Sequence, residues 1–171
     1  MKNWLMIILS LLSLGAHSNG KLTIPDLEKT DLILQKISKE TQLPQDRLNI
    51  SWAENGTAIV SFINNIEDIE TRGLIDFDGK WLLTPTDMVI REYKHLSYFF
   101  YYSKLHNLII KTERTVNGKT CYGILDLKGR ELFSPQFASI SVEDDDLPLI
   151  EVEDCQTGKI HRVSLPNSES K

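Results

Sequence analysis

The side chains best suited to bond-making are few and scattered. Beyond the first eighteen residues stand three histidines, His95, His106 and His161, separated by 11 and 55 residues, and these intervals match no local metal-ligand spacing. Asp76 and Asp126 are like-placed carboxylates of the kind acid–base catalysis uses. Each, however, stands just before a turn sequence, Asp78-Gly79 or Lys128-Gly129, where an aspartate commonly accepts backbone N–H groups. The run Glu143-Asp144-Asp145-Asp146 lacks the spaced oxygen ligands and the glycine of a calcium loop, and reads as a solvated loop tip. There is no Gly-x-Ser-x-Gly, no glycine-rich phosphate loop and no His-Glu-x-x-His. The expectation is therefore no enzyme, no metal site and no cofactor.

The residues beside those aspartates repeat. Gly73-Leu74-Ile75-Asp76-Phe77-Asp78-Gly79-Lys80 returns fifty residues later as Gly123-Ile124-Leu125-Asp126-Leu127-Lys128-Gly129-Arg130. Both copies run on to a hydroxyl residue and a proline, Thr84-Pro85 and Ser134-Pro135. Such self-similarity is an architectural signal before it is a chemical one. Gly79 and Gly129 suit tight turns, the apolar pairs suit a sheet core, and Pro85 and Pro135 cannot donate to a ladder.

The remaining elements follow from pattern. Pro25-Asp26 opens a helix, with Thr30 as a second candidate cap. Leu27, Thr30, Leu34 and Ile37 share one face, Lys36 and Lys39 lie near the C-terminal end, and Pro44 ends the helix. Strands are predicted over 57–63, 74–77, 80–84, 88–93, 108–112, 120–127, 130–134, 137–142, 149–153 and 159–165, with Asn117-Gly118 the strongest hairpin signal. A shift of 40 residues lays Gly158 on Gly118, marking 149–163 as a partial third copy. The fold expected is mainly β: antiparallel β-hairpin repeats in a meander, with one N-terminal α-helix packed on the sheet. Its divisions are a leader and helix over 19–47, a hairpin-repeat domain over 48–165 with copies at 73–90 and 123–140, and a flexible tail over 166–171. Tyr98, Phe99, Phe100, Tyr101 and Tyr102 form an unbroken aromatic run, which serves either as core or as a contact surface.

The repeated pattern resembles the WG-repeat family of bacterial exported β-repeat proteins. Tyr122-Gly123 stands where that family has Trp-Gly, and Pro135-Gln136-Phe137 where it has proline followed by an aromatic. The first copy departs from the pattern, with Arg72 before Gly73 and Asp87 in the aromatic position. The fifty-residue interval is also longer than the family's usual unit. The resemblance implies a chain of β-hairpins in which Gly73, Asp76, Gly79, Pro85, Gly123, Asp126, Gly129 and Pro135 are structural. It implies no reaction.

Residues 1–18 read as a cleaved signal peptide. Lys2 precedes the uncharged run Trp4–Leu14, and Ala16-His17-Ser18 is a small-x-small cleavage site. Eleven residues at a rise of about 1.5 Å fall short of roughly 30 Å of hydrocarbon, so no stable membrane span is expected after cleavage. The expected location is periplasmic or secreted. In such a compartment Cys121 and Cys155 are candidates for one disulfide, at the same end of neighbouring strands. The formal net charge is −5, and loss of Lys2 with the leader takes it one unit further, to −6. That acidity argues against nucleic acid and against an acidic membrane surface. What remains is recognition of another protein. The two forms expected are a protein-binding module of the bacterial envelope and an immunity or inhibitor protein that occludes a toxin or hydrolase.

Overall fold

A computed structural model describes residues 25–53, 56–65, 68–100, 108–141 and 149–165. The signal peptide, residues 19–24 of the leader, His106, the acidic run 143–146 and the tail lie outside them. Helix α1 (Leu27–Thr41) starts where the Asp26 carboxylate accepts the Lys29 N–H at 2.8 Å, and it ends at Gln42 in the left-handed conformation. Its buried face is Ile33 and Ile37, flanked by half-buried Thr30 and Leu34. Leu27 lies off that buried face and is exposed.

A four-stranded antiparallel sheet follows: β1 (Leu48–Trp52), β2 (Ala58–Asn65), β3 (Asp68–Ile75) and β4 (Trp81–Leu83), in that spatial order. After helix α2 (Pro85–Ile90) comes a six-stranded sheet of β5 (His95–Phe100), β6 (Leu108–Val116), β7 (Lys119–Leu125), β8 (Glu131–Ser141), β9 (Leu149–Asp154) and β10 (Ile160–Ser164). Its strands also lie in chain order, each antiparallel to its neighbour. The protein is thus mainly β, a meander of hairpins with an N-terminal helix on the first sheet.

Three cores stack in series. Ile33 and Ile37 of α1 pack on Leu48, Ala58, Val60, Phe62 and Ile75, on one face of the first sheet. Ile59, Leu74 and Leu83 on the opposite face meet Met88 of α2 and Leu96, Ile110 and Leu125 of the second sheet. On the second sheet's far side, Ile109 and Ile124 cluster with Phe137, Ile150, Val152 and Leu165. The repeated apolar pair explains the stacking. Adjacent strand residues point to opposite faces, so Leu74 and Ile75 feed two cores, as do Leu125 and Ile124.

The two copies share their register and then part. Leu74 faces Leu83 and Ile75 faces Trp81; fifty residues on, Ile124 faces Phe133 and Leu125 faces Glu131. Beyond the proline the residue three places after the hydroxyl decides the outcome. In the first copy the Thr84 hydroxyl accepts the Asp87 N–H at 3.0 Å. The Asp87 carboxylate in turn accepts the Thr84 N–H at 2.8 Å and its hydroxyl at 2.6 Å. With Pro85 in the first turn this is a complete capping box, and the chain turns into α2. The strand expected over 88–93 is accordingly replaced by helix Pro85–Ile90. In the second copy Phe137 holds the place of Asp87 and offers no carboxylate. The two strands expected there are a single strand, β8, which passes Pro135 with a register shift and sets Phe137 opposite Tyr122.

Candidate functional site

Each repeat turn is organised by its aspartate. Asp76 Oδ1 accepts the N–H groups of Asp78 at 3.0 Å and Lys80 at 2.9 Å. Asp126 Oδ1 accepts those of Lys128 and Arg130, both at 2.9 Å. Both carboxylates are thereby engaged within their own hairpins. The last hairpin uses the same device: Asp154 Oδ1 accepts from Gln156 at 3.0 Å and Thr157 at 2.6 Å, and Gly158 N–H bonds to the Asp154 carbonyl at 2.9 Å. Bonding to the backbone and hydroxyl of Thr157 holds the Asp154 carboxyl below the usual carboxylate range. This turn is therefore built on an aspartate, with one extra residue, and differs from the two-residue Asn117-Gly118 turn on which a 40-residue shift lays it.

The first two turns dock on whatever precedes them. Lys36 Nζ donates to the Gly79 carbonyl at 2.9 Å, and Lys29 Nζ reaches Asp78 at 2.7 Å while lying over the Phe77 ring. In the second copy Arg91 donates to the Gly129 carbonyl at 3.4 Å, and Gly129 lies against the backbone of Leu82. Helix α1 thus stands to the first turn as β4 and Arg91 stand to the second.

Cys121 and Cys155 are joined in a disulfide, with Cα atoms 5.9 Å apart. They do not lie on neighbouring strands: Cys121 is in β7, Cys155 follows β9, and β8 runs between those strands. Two ordinary strand spacings would total about 9.6 Å. The register of β8 shifts on either side of Phe137, and Cys155 N–H bonds to the Gln136 carbonyl at 2.7 Å.

Of the aromatic run, Tyr98 turns into the core between the sheets, where its hydroxyl lies 3.3 Å from the Thr57 hydroxyl. Phe99 and Phe100 complete β5, and Tyr101 and Tyr102 lie outside the described residues. Burial pushes the Tyr98 hydroxyl up to about 12. Tyr93 is raised to about 12 as well, chiefly by burial and then by its hydrogen bond to Glu131, which ties the segment after α2 to β8. A raised phenol favours the neutral form in the folded protein. The corresponding stability is fully present below pH about 10 and is lost as pH climbs through about 12, by at most on the order of 2 kcal/mol per tyrosine. Urea unfolding at successive alkaline pH values should show this loss, and Tyr93→Phe or Tyr98→Phe should each blunt it. A loss of unchanged size in both variants would contradict the assignment.

The same capping box that makes α2 leaves an opening. Strand β4 covers β3 only at Leu74 and Ile75, so the outer edge of β3 from Asp68 to Arg72 has no strand partner among the described residues. A groove of about 490 Å3 runs beside it, bounded by α2 and residues 92–95. Ile69, Met88, Val89 and Tyr93 supply its apolar surface, with Ile69 49% and Val89 76% exposed. Asp68, Glu70 and Glu92 bring carboxylates; Arg72, Lys94 and His95 bring nitrogen groups. The Arg72 guanidinium is already committed to Glu70 at 2.8 Å and lies over the Phe62 ring. No sequence pattern announced this groove, because its walls come from segments up to 27 residues apart that meet only in the fold. The nearest signal was the Thr84-Pro85-Thr86-Asp87 helix start.

Among the described residues no three His, Cys, Asp or Glu side chains come together as a metal site, and no helix is long and apolar enough to cross a membrane. Compared with protein-family models, with curated proteins and with solved structures, the chain matches none.

Proposed function

We propose that this chain is an exported, non-catalytic, WG-repeat-like protein-binding module of the bacterial envelope, which takes its partner at the groove between β3 and α2. The observation that carries this reading is the exposed apolar pair Ile69 and Val89 beside a strand edge that has no strand partner among the described residues. An uncovered edge invites aggregation unless something occupies it. The disulfide supports work in an oxidising compartment, and stacked hairpin repeats give a rigid base for such a surface. A second reading, an immunity or inhibitor protein, draws on the net charge of −5, which would steer a basic toxin or hydrolase toward the chain.

A photo-crosslinking side chain at Val89, in cells that export the protein, tests the reading. Ile160 on β10, an exposed apolar residue away from the groove, serves as the control. One recurrent protein adduct at Val89, absent at Ile160, is the expected result. No adduct at Val89, or the same diffuse set at both positions, would contradict it. If the captured protein is a toxin or hydrolase and the added chain inhibits it, the immunity reading is the one that holds.

A further inference from the structure

We infer that the groove binds by strand addition: an extended segment of a partner protein, carrying a large apolar side chain next to lysine or arginine, pairs with the outer edge of β3 at Asp68–Arg72. This rests on the protein-binding reading and specifies its mode. The protein's own second copy shows one end of the arrangement filled, at Tyr122, the equivalent of Arg72. There β8 runs on past Pro135 and places Phe137 opposite Tyr122. Residues Cys155 and Gln136 are bonded alongside, and the disulfide fastens that cover to β7. The equivalent of Tyr122 is Arg72 and that of Phe137 is Asp87, which the capping box has carried away into α2. At Arg72 the first copy therefore keeps the receiving edge and, among the described residues, has no strand where β8 meets Tyr122 in the second; Asp68–Thr71 continue that edge.

The occupant's chemistry follows from what lines the vacant place. Arg72, the equivalent of the residue that Phe137 faces, lines the same groove as Ile69, Met88, Val89 and Tyr93, which suit one large apolar side chain. Glu70 and Arg72 neutralise each other, which leaves the carboxylates of Asp68 and Glu92 against the ammonium of Lys94. The local excess is acidic and the chain is acidic as a whole, at −5. A second copy of this chain would meet like charge, whereas a basic segment is attracted. Main-chain hydrogen bonds then supply affinity and the alternate side-chain pockets supply selectivity.

Selection of short random peptides on the whole protein at low salt tests this. The expected binders combine an aromatic or large aliphatic residue with adjacent lysine or arginine. They slow amide exchange at the outer edge of 68–72, lose roughly tenfold or more in affinity on Val89→Asp or Asp68→Lys, and weaken as salt rises. Binders that contact α2 without slowing exchange at 68–72 would overturn strand addition while leaving the protein-binding surface standing. Acidic binders, or binders insensitive to Asp68→Lys, would overturn the charge assignment. A selection that yields nothing at this groove would overturn both the inference and the reading beneath it.

Discussion

Replacing Gly73 with alanine should destabilise the protein by about 3 kcal/mol, near the upper end for overpacking. A Cβ at Gly73 would stand 2.2 Å from the Leu83 carbonyl oxygen and 2.9 Å from the Trp81 ring. The first obstacle is backbone, and it belongs to the strand that must close on β3. Relief requires β4 to move off Leu74 and Ile75, which opens two cores at once. For a chain of this size the midpoint of thermal unfolding should fall by roughly 9 °C. Gly118→Ala is the informative comparison. It sits in a left-handed turn with nothing within 4 Å of the added carbon, so only the conformational penalty of about 1 kcal/mol applies. Urea denaturation of both variants checks the difference. Equal, mild effects would mean that β3 and β4 do not approach as described.

Loss of the Cys121–Cys155 bridge should have the larger effect. It closes a separation of 34 residues, for which the chain-entropy treatment gives about 3.8 kcal/mol, with roughly 2–4 kcal/mol the usual range. Its position adds a local consequence. The bridge holds the turn after β9 to β7 across β8, so the far core around Phe137, Ile150 and Val152 should loosen first. The first sheet and α1 share none of these residues and should keep their protection longest. The Cys121→Ala/Cys155→Ala double variant, followed by urea denaturation and by amide exchange, separates the two effects. Unchanged stability, or loosening that begins in the first sheet, would contradict the assignment.

The hairpins were legible in the sequence because their determinants are local. An aspartate, a glycine three residues on and a basic residue next specify one turn, and an adjacent apolar pair specifies a strand with two covered faces. Helix α1 was legible from Asp26 and the spacing of its apolar residues. The segment 88–93 misled because Met88, Val89 and Ile90 have strand-like side chains, while the Thr84–Asp87 capping box outweighs that preference. Strand β1 was missed although Leu48, Ile50 and Trp52 alternate with Asn49 and Ser51, and each of the three half-buries or buries against the helix side. The division into two sheets, the bridge across β8 and the groove depend on contacts between distant segments, and no local window carries them.

The groove exists only if Asp87 diverts the chain and leaves the outer edge of β3 uncovered. Amide exchange of the free protein measures this directly. Outer-edge amides within Ile69–Arg72 should exchange far faster than those within Tyr122–Leu125, whose outer edge β8 covers. Equal protection of the two stretches would mean that the first edge is already occupied, and would contradict the binding role assigned to it.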